Sequence, residues 1–165
     1  MKKNNKKGFV LAETIAVSTV VLTSLVIIYT QFISISNSYS RSFRYNNVNN
    51  LYLVNNVKDY IATDGLEKLI NSLNENNYSY IDITSCDSQY FTEYIYCESL
   101  LKQSNIKTIL FTKEDITDLK NNITTTNFSE KMKEFIKYIN NSKESNYRLI
   151  VEFNDDTYAT LKIKI

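Results

Sequence analysis

A mostly apolar run extends from residue 9 to residue 35, and no charged side chain occurs between Glu13 and Arg41. A helix needs about 20 such residues to cross the hydrocarbon core of a bilayer, and this run supplies 27. It contains neither proline nor glycine, so a helix here satisfies its own backbone groups in lipid. A serine-rich stretch at 34–42 follows, with Arg41 and Arg44 marking a polar boundary. Leu53, Val54, Val57, Tyr60 and Ile61 then recur at helical spacing. They predict an outer continuation of the same helix, its apolar stripe docked on a sheet. Asp64-Gly65 breaks it. Leu66, Leu69, Ile70 and Leu73 predict a short second helix that residues 74–77 end.

Strand-like and helix-like patterns alternate in the remainder. Residues 78–84, with Tyr78, Tyr80, Ile81 and Ile83, suit a pleated surface. Residues 90–96 are aromatic and β-prone, and residues 106–111 form a further short apolar run. Thr112, with Asp115 three positions on, is placed to cap a helix carrying Ile116, Leu119 and Ile123. Asn127 with Glu130 is placed to cap another, with Met132, Phe135, Ile136 and Ile139 on its inner face. The end is clearer. Tyr147, Leu149, Val151 and Phe153 alternate with other residues, Asn154-Asp155-Asp156 turns, and Ala159, Leu161, Ile163 and Ile165 alternate again. That pattern predicts a hairpin with one buried face.

The chain of 165 residues is long enough for one domain and too short for two well-packed ones. Its N-terminal eight residues carry Lys2, Lys3, Lys6 and Lys7 and no acid, which argues that this end stays in the cytoplasm. A cleaved secretory signal has an apolar region of only about 7–15 residues, shorter than the run here. A lipoprotein signal needs a cysteine just after the apolar stretch, whereas the first cysteine is Cys86. A plain single-pass anchor stays open, yet it gives no account of Glu13. An acid deep in a spanning segment costs roughly 2.5–3.5 kcal/mol on insertion scales, so it usually has a partner or a task.

Lys-Lys-Gly-Phe-Val-Leu-Ala-Glu-Thr at residues 6–14 resembles the processing site of type IV prepilins and type II secretion pseudopilins. That pattern is a basic leader ending in glycine, then phenylalanine, three mostly apolar residues, glutamate and a long apolar helix. The resemblance implies that a membrane-embedded prepilin peptidase cuts between Gly8 and Phe9 and methylates the new amino group of Phe9. It makes Glu13 the fifth mature residue, an assembly residue facing the cationic amine of a neighbouring subunit. A carboxylate so paired is far less costly in low dielectric than an unpaired one, and the pair sets the register between helices. The pattern departs from the commonest version at Ala12, where a larger aliphatic residue is usual. It also has Thr30 near the point where many major pilins have a proline, so a straighter helix and a minor subunit are expected. The similarity covers about 30 of the 165 residues and speaks of processing and assembly.

The implied partners are the peptidase, other pilin or pseudopilin subunits, an assembly platform protein in the cytoplasmic membrane, and the bilayer itself. The expected fold is α+β and pilin-like: a long N-terminal helix packed on a small antiparallel sheet with additional short helices. Its parts are a leader at 1–8, a transmembrane and assembly helix at 9–35, an outer continuation at 36–62 and an extracytoplasmic domain at 63–165. The competing reading is an unprocessed, membrane-anchored extracellular binding module.

Cys86 and Cys97 are the only cysteines, with ten residues between them. On the membrane reading both lie outside the cytoplasm, where a disulfide closing so short a loop stabilises by about 3 kcal/mol; two free thiols are the other possibility. The chain has no histidine, which removes Ser-His and Cys-His nucleophile systems. It also lacks Cys-x-x-Cys spacing, so no metal site is expected. Only two glycines occur, Gly8 and Gly65, too few for a phosphate-cradling loop. No enzyme and no cofactor are expected. Glu114-Asp115 and Asp155-Asp156 read as solvated acids.

The four leader lysines and Glu13 set aside, residues 41–165 hold 15 basic and 17 acidic side chains, a net of −2. A phosphate-binding surface shows a basic patch, so nucleic acid is not expected as a partner. Lys131, Lys133 and Lys137, and likewise Lys162 and Lys164, read as solvated faces. The chain holds 13 tyrosines; they suit a contact surface but are read first as ordinary aromatic filler.

Overall fold

The computed structural model describes residues 5–45, 48–142 and 145–164. Lys2 and Lys3 of the leader and Ile165 of the last strand pattern lie outside the described residues. The chain divides into two compact units, Met1–Arg41 and Ser42–Ile165. The fold is α+β: a long N-terminal helical segment, then an antiparallel sheet with short helices.

Helix α1 spans Asn5–Tyr45. In the first unit every described side chain from 9 to 41 is exposed, as expected for a helix whose apolar surface has no protein to cover it. The helix is long and apolar enough to cross a bilayer by length and composition. Five of its hydroxyl side chains turn back on their own backbone. The hydroxyls of Thr14, Thr19, Thr23, Ser24 and Thr30 each donate to a carbonyl three or four residues earlier, at 2.8–3.0 Å. At Thr30 the bond runs to the Ile27 carbonyl at 2.8 Å. Such back-bonding hides hydroxyls from an apolar solvent.

The second unit is built on a four-stranded antiparallel sheet of order β1-β2-β3-β4, comprising β1 (Ile81–Asp82), β2 (Ile106–Lys113), β3 (Tyr147–Phe153) and β4 (Tyr158–Ile163). The helices are α2 (Val48–Thr63), α3 (Leu66–Glu75), α4 (Tyr94–Gln103), α5 (Thr117–Asn121) and α6 (Glu130–Tyr138). Val54, Val57 and Ile61 of α2, Leu69 and Leu73 of α3, and Cys97 and Leu101 of α4 share one core with Ile109, Phe111, Leu149, Val151 and Phe153 of the sheet. The opposite sheet face carries Leu110, Ile150 and Tyr158, and packs against Leu119, Met132, Phe135, Ile136 and Tyr45 in a second core. The unit is therefore layered helix–sheet–helix.

Four local readings need correction. The hairpin does not have one buried face: all seven residues of β3 are buried, because α5 and α6 cover the side expected to meet water. Residues 90–96 do not form a strand; α4 begins at Tyr94, where tertiary contacts outweigh the aromatic preference for extended backbone. Thr112 lies inside β2 and donates to the Ser79 carbonyl at 2.8 Å, so it caps nothing. Asp115 instead accepts the Thr117 N–H at 3.0 Å at the start of α5. Ser129, rather than Asn127, caps α6 by accepting the Met132 N–H at 3.2 Å.

The strand at 78–84 shrinks to Ile81–Asp82. Before it, Tyr78 N–H still closes the end of α3 on the Leu73 carbonyl at 3.2 Å. After it, Asp82 turns the chain by accepting the Thr84 N–H at 2.9 Å.

Gly65 makes the corner between α2 and α3 at φ +118°, a region open to glycine and strained for other residues. A Cβ there would stand 2.9 Å from ring carbons of the buried Phe91 and 3.1 Å from the Tyr90 carbonyl oxygen. Gly65→Ala is expected to destabilise the folded domain by about 1–3 kcal/mol, read as a lowered urea midpoint of the full chain in detergent. An unchanged midpoint would show that the corner relaxes freely.

Candidate functional site

The residues with the most specific chemistry lie in the first unit, on α1. Gly8 is helical and Phe9 is 72% exposed. Glu13 stands four residues, a little over one turn, beyond Phe9, so the two share a helix face about 6 Å apart along the axis. Helical side chains lean toward the N-terminus, which carries the Glu13 carboxylate back toward the level of Phe9. Glu13 is exposed, and among the described residues it makes no ion pair. On an otherwise apolar helix surface this acid is left for something outside the chain to compensate.

In the second unit Cys86 and Cys97 form a disulfide with Cα atoms 5.8 Å apart. Cys86 takes a positive φ of 49°, and both sulfurs are buried, so the bridge ties the turn after β1 to the first turns of α4. A second clasp holds the same helix. Asp64, at the end of α2, accepts the backbone N–H groups of Thr92 and Glu93 at 3.0 Å each, and the Tyr60 hydroxyl at 2.9 Å. Those amides belong to the N-terminus of α4, where orphan donors and the helix dipole both favour a carboxylate. The Glu93 and Thr92 amides, with Tyr60, lower the Asp64 pKa from 3.8 to about 2. Burial and the same carboxylate push the Tyr60 phenol up.

One charged cluster differs from its sequence reading. Glu114 is not a solvated acid: its side chain is fully covered and paired with Lys162, with Asn146 and Ser142 as further hydrogen-bonding neighbours. The Lys162 ammonium is the main cause that lowers its pKa. Lys162 is accordingly half-covered rather than a free surface lysine. Lys131 pairs with Asp156 at 2.5 Å and Lys133 with Glu130 at 2.9 Å, so these lysines tie α6 to the β3–β4 turn and to its own first turn.

Glu152, buried in β3, is met by Lys107 at 3.0 Å and by the Tyr158 hydroxyl at 3.3 Å. Charged residues at 148 and 152 inside an apolar strand were the one sequence signal for these buried pairs.

The architecture is pilin-like: an apolar N-terminal helix leading into an α+β domain with a four-stranded antiparallel sheet. Comparison with protein-family models, curated proteins and solved structures finds no match.

The Asp64 clasp has a pH signature. A carboxylate whose folded pKa lies below its unfolded value stabilises above the unfolded pKa, and that stability is lost as pH falls through the folded one. For Asp64 the window runs from about 4 down to about 2. Allowing for solvent screening at a partly exposed site, Asp64→Asn is expected to cost about 1–2 kcal/mol at pH 7. Urea midpoints of wild type and variant should converge as pH approaches about 2. A difference that stays constant across that window would show that the charge is not what holds α4.

Proposed function

We propose that the chain is a structural subunit of a type IV pilus-like or type II secretion-like filament, a minor pilin or pseudopilin. A prepilin peptidase removes the leader after Gly8 and methylates the Phe9 amine. The apolar helix then anchors the subunit in the cytoplasmic membrane, with the N-terminus inside and the α+β domain outside. An assembly platform protein passes it on to other pilin subunits, helix against helix.

The observation that carries this reading is Glu13: a lone acid, without an ion pair among the described residues, on a helix surface otherwise exposed and apolar. In lipid the carboxylate is stable only when compensated. The freed amine at Phe9 of an adjacent subunit is a cation at the matching level, and its pairing with Glu13 selects one stagger. The back-bonded hydroxyls of Thr14 to Thr30 leave the remaining helix surface effectively apolar, fit for lipid before assembly and for neighbouring helices after it. A disulfide-closed turn agrees with a domain that folds in an oxidising compartment.

Co-expression with a prepilin peptidase, followed by mass spectrometry of the N-terminus, is expected to show loss of residues 1–8 and a methylated Phe9. An intact leader would favour the permanently anchored binding module. Glu13→Ala is expected to insert and be processed like wild type but to assemble poorly, measured as sheared filament recovered from cells. Wild-type filament levels in that variant would remove the pairing argument.

A further inference from the structure

Three polar side chains meet where the last three strands run side by side. Just beyond the Lys113–Tyr147 pair of the β2–β3 ladder, the Glu114 N–H donates to the Asn146 carbonyl at 2.8 Å, so these two residues stand opposite each other. In β4, Lys162 stands opposite Arg148, two residues along from Asn146. Alternate residues of a strand share a sheet face, and this face is the one of Leu110, Ile150 and Tyr158. Glu114, Asn146 and Lys162 thus occupy one face of three neighbouring strands, with Asn146 on the middle one.

Strand spacing brings their side chains together. Neighbouring strands lie about 4.8 Å apart, so the Glu114 and Lys162 backbones are about two such steps apart, with β3 between them. The two side chains nevertheless form an ion pair, so they reach toward each other across β3. The Lys162 amine is thereby carried over the strand that bears Asn146. Asn146 is also the diagonal neighbour of Lys162 in the β3–β4 pairing, a separation long side chains can span. The Asn146 amide and the Ser142 hydroxyl are further polar neighbours of the same carboxylate. An amine, a carboxamide and a carboxylate are therefore within reach of one another.

The ion pair is the resting state, because Lys162 lowers the Glu114 pKa and Arg148 Nη2 stands 3.8 Å from the same carboxylate. Two features reduce the cost of moving a proton from Nζ to Glu114. The Glu114 side chain is fully covered, and burial opposes its charged form. Arg148, directly opposite Lys162, is a like charge that opposes the ammonium. Past the end of α6, a cavity of about 430 Å³ with Ser142, Arg148 and Lys162 in its lining gives a small leaving molecule a way out.

We propose that Lys162 and Asn146 join in an intramolecular isopeptide bond, with Glu114 as the proton carrier. Glu114 takes one proton from the Lys162 ammonium, which frees the Nζ lone pair. Nζ bonds to Asn146 Cγ, the Cγ–Nδ2 bond breaks, and a second Nζ proton passes to Nδ2. Nδ2 leaves as ammonia and takes up the proton held by Glu114. One ammonium ion is released, the carboxylate is restored, and no oxidant or reductant is needed. The turn joins β3 and β4 at one end and the new bond joins them at the other, so the last strand is tied at both. The site stands independently of leader processing or filament assembly.

The test is the intact mass of the full chain, folded in detergent with its disulfide formed and followed during incubation at neutral pH. Wild type is expected to fall below its sequence mass by one ammonia, about 17 Da, after allowance for the disulfide and for any loss of the leader. Tryptic digestion is expected to yield peptide 144–148 joined to peptide 149–164. Lys162→Arg keeps the positive charge and Glu114→Gln keeps the size of the acid, and both are expected to retain full mass. A wild-type chain that stays at full mass would overturn the assignment. So would a loss that maps away from Asn146 and Lys162, or one that persists in Glu114→Gln.

Discussion

Strand β3 has no side open to water. It lies between β2 and β4, and all of its residues are buried, so the domain must supply helices to both faces of the sheet. This requirement organises the second unit. Helices α2, α3 and α4 pack on the face of Leu149, Val151 and Phe153, while α5, α6 and Tyr45 pack on the face of Ile150. Burial of apolar area on both faces is the main favourable term. It also forces every polar side chain in the strand to find a partner or remain costly.

Arg148 and Glu152 show the two outcomes. Both point to the α5–α6 side, alternating with Ile150. Glu152 is met by Lys107 and by the hydroxyl of Tyr158, so its charge is compensated where the helices pack closely. Arg148 sits past the end of α6, and its guanidinium is satisfied only in part. The same strand therefore carries one charge that completes the core and one that borders an open cavity. Distance along β3 from the helical cover is what separates them.

The first unit presents a helix long and apolar enough to cross a bilayer. The large apolar side chains of α1 between Phe9 and Tyr39 stay exposed, which is unfavourable in water and ordinary in lipid. Glu13 is the one charged side chain on that stretch. In the proposed filament the exposed surface and the lone acid have one explanation, since neighbouring helices replace lipid and bring a compensating cation with them. In the second unit the disulfide and the Asp64 clasp hold α4 to the corner formed by α2 and α3.

The sequence by itself determined the features that depend on near neighbours in the chain. The long apolar helix, the face of Val54, Val57 and Ile61, the break at Asp64-Gly65, the helix of Leu69 and Leu73, and the terminal hairpin all follow from local periodicity and from glycine's freedom at positive φ. Ser129 displaced Asn127 as a cap by only two positions, within the ambiguity of such signals. Tertiary structure decided what depends on residues far apart. Tyr94–Gln103 became a helix because Asp64, about 30 residues earlier, holds its amino end and a disulfide pins its first turns. The alternation of Tyr147, Leu149, Val151 and Phe153 predicted one buried face, and only the placement of α5 and α6 decided that β3 would be covered twice. Glu114 and Lys162 read separately as solvated charges because no local pattern links positions 48 residues apart. Strand pairing brought them together, and a charge changes character when its neighbours remove the water around it.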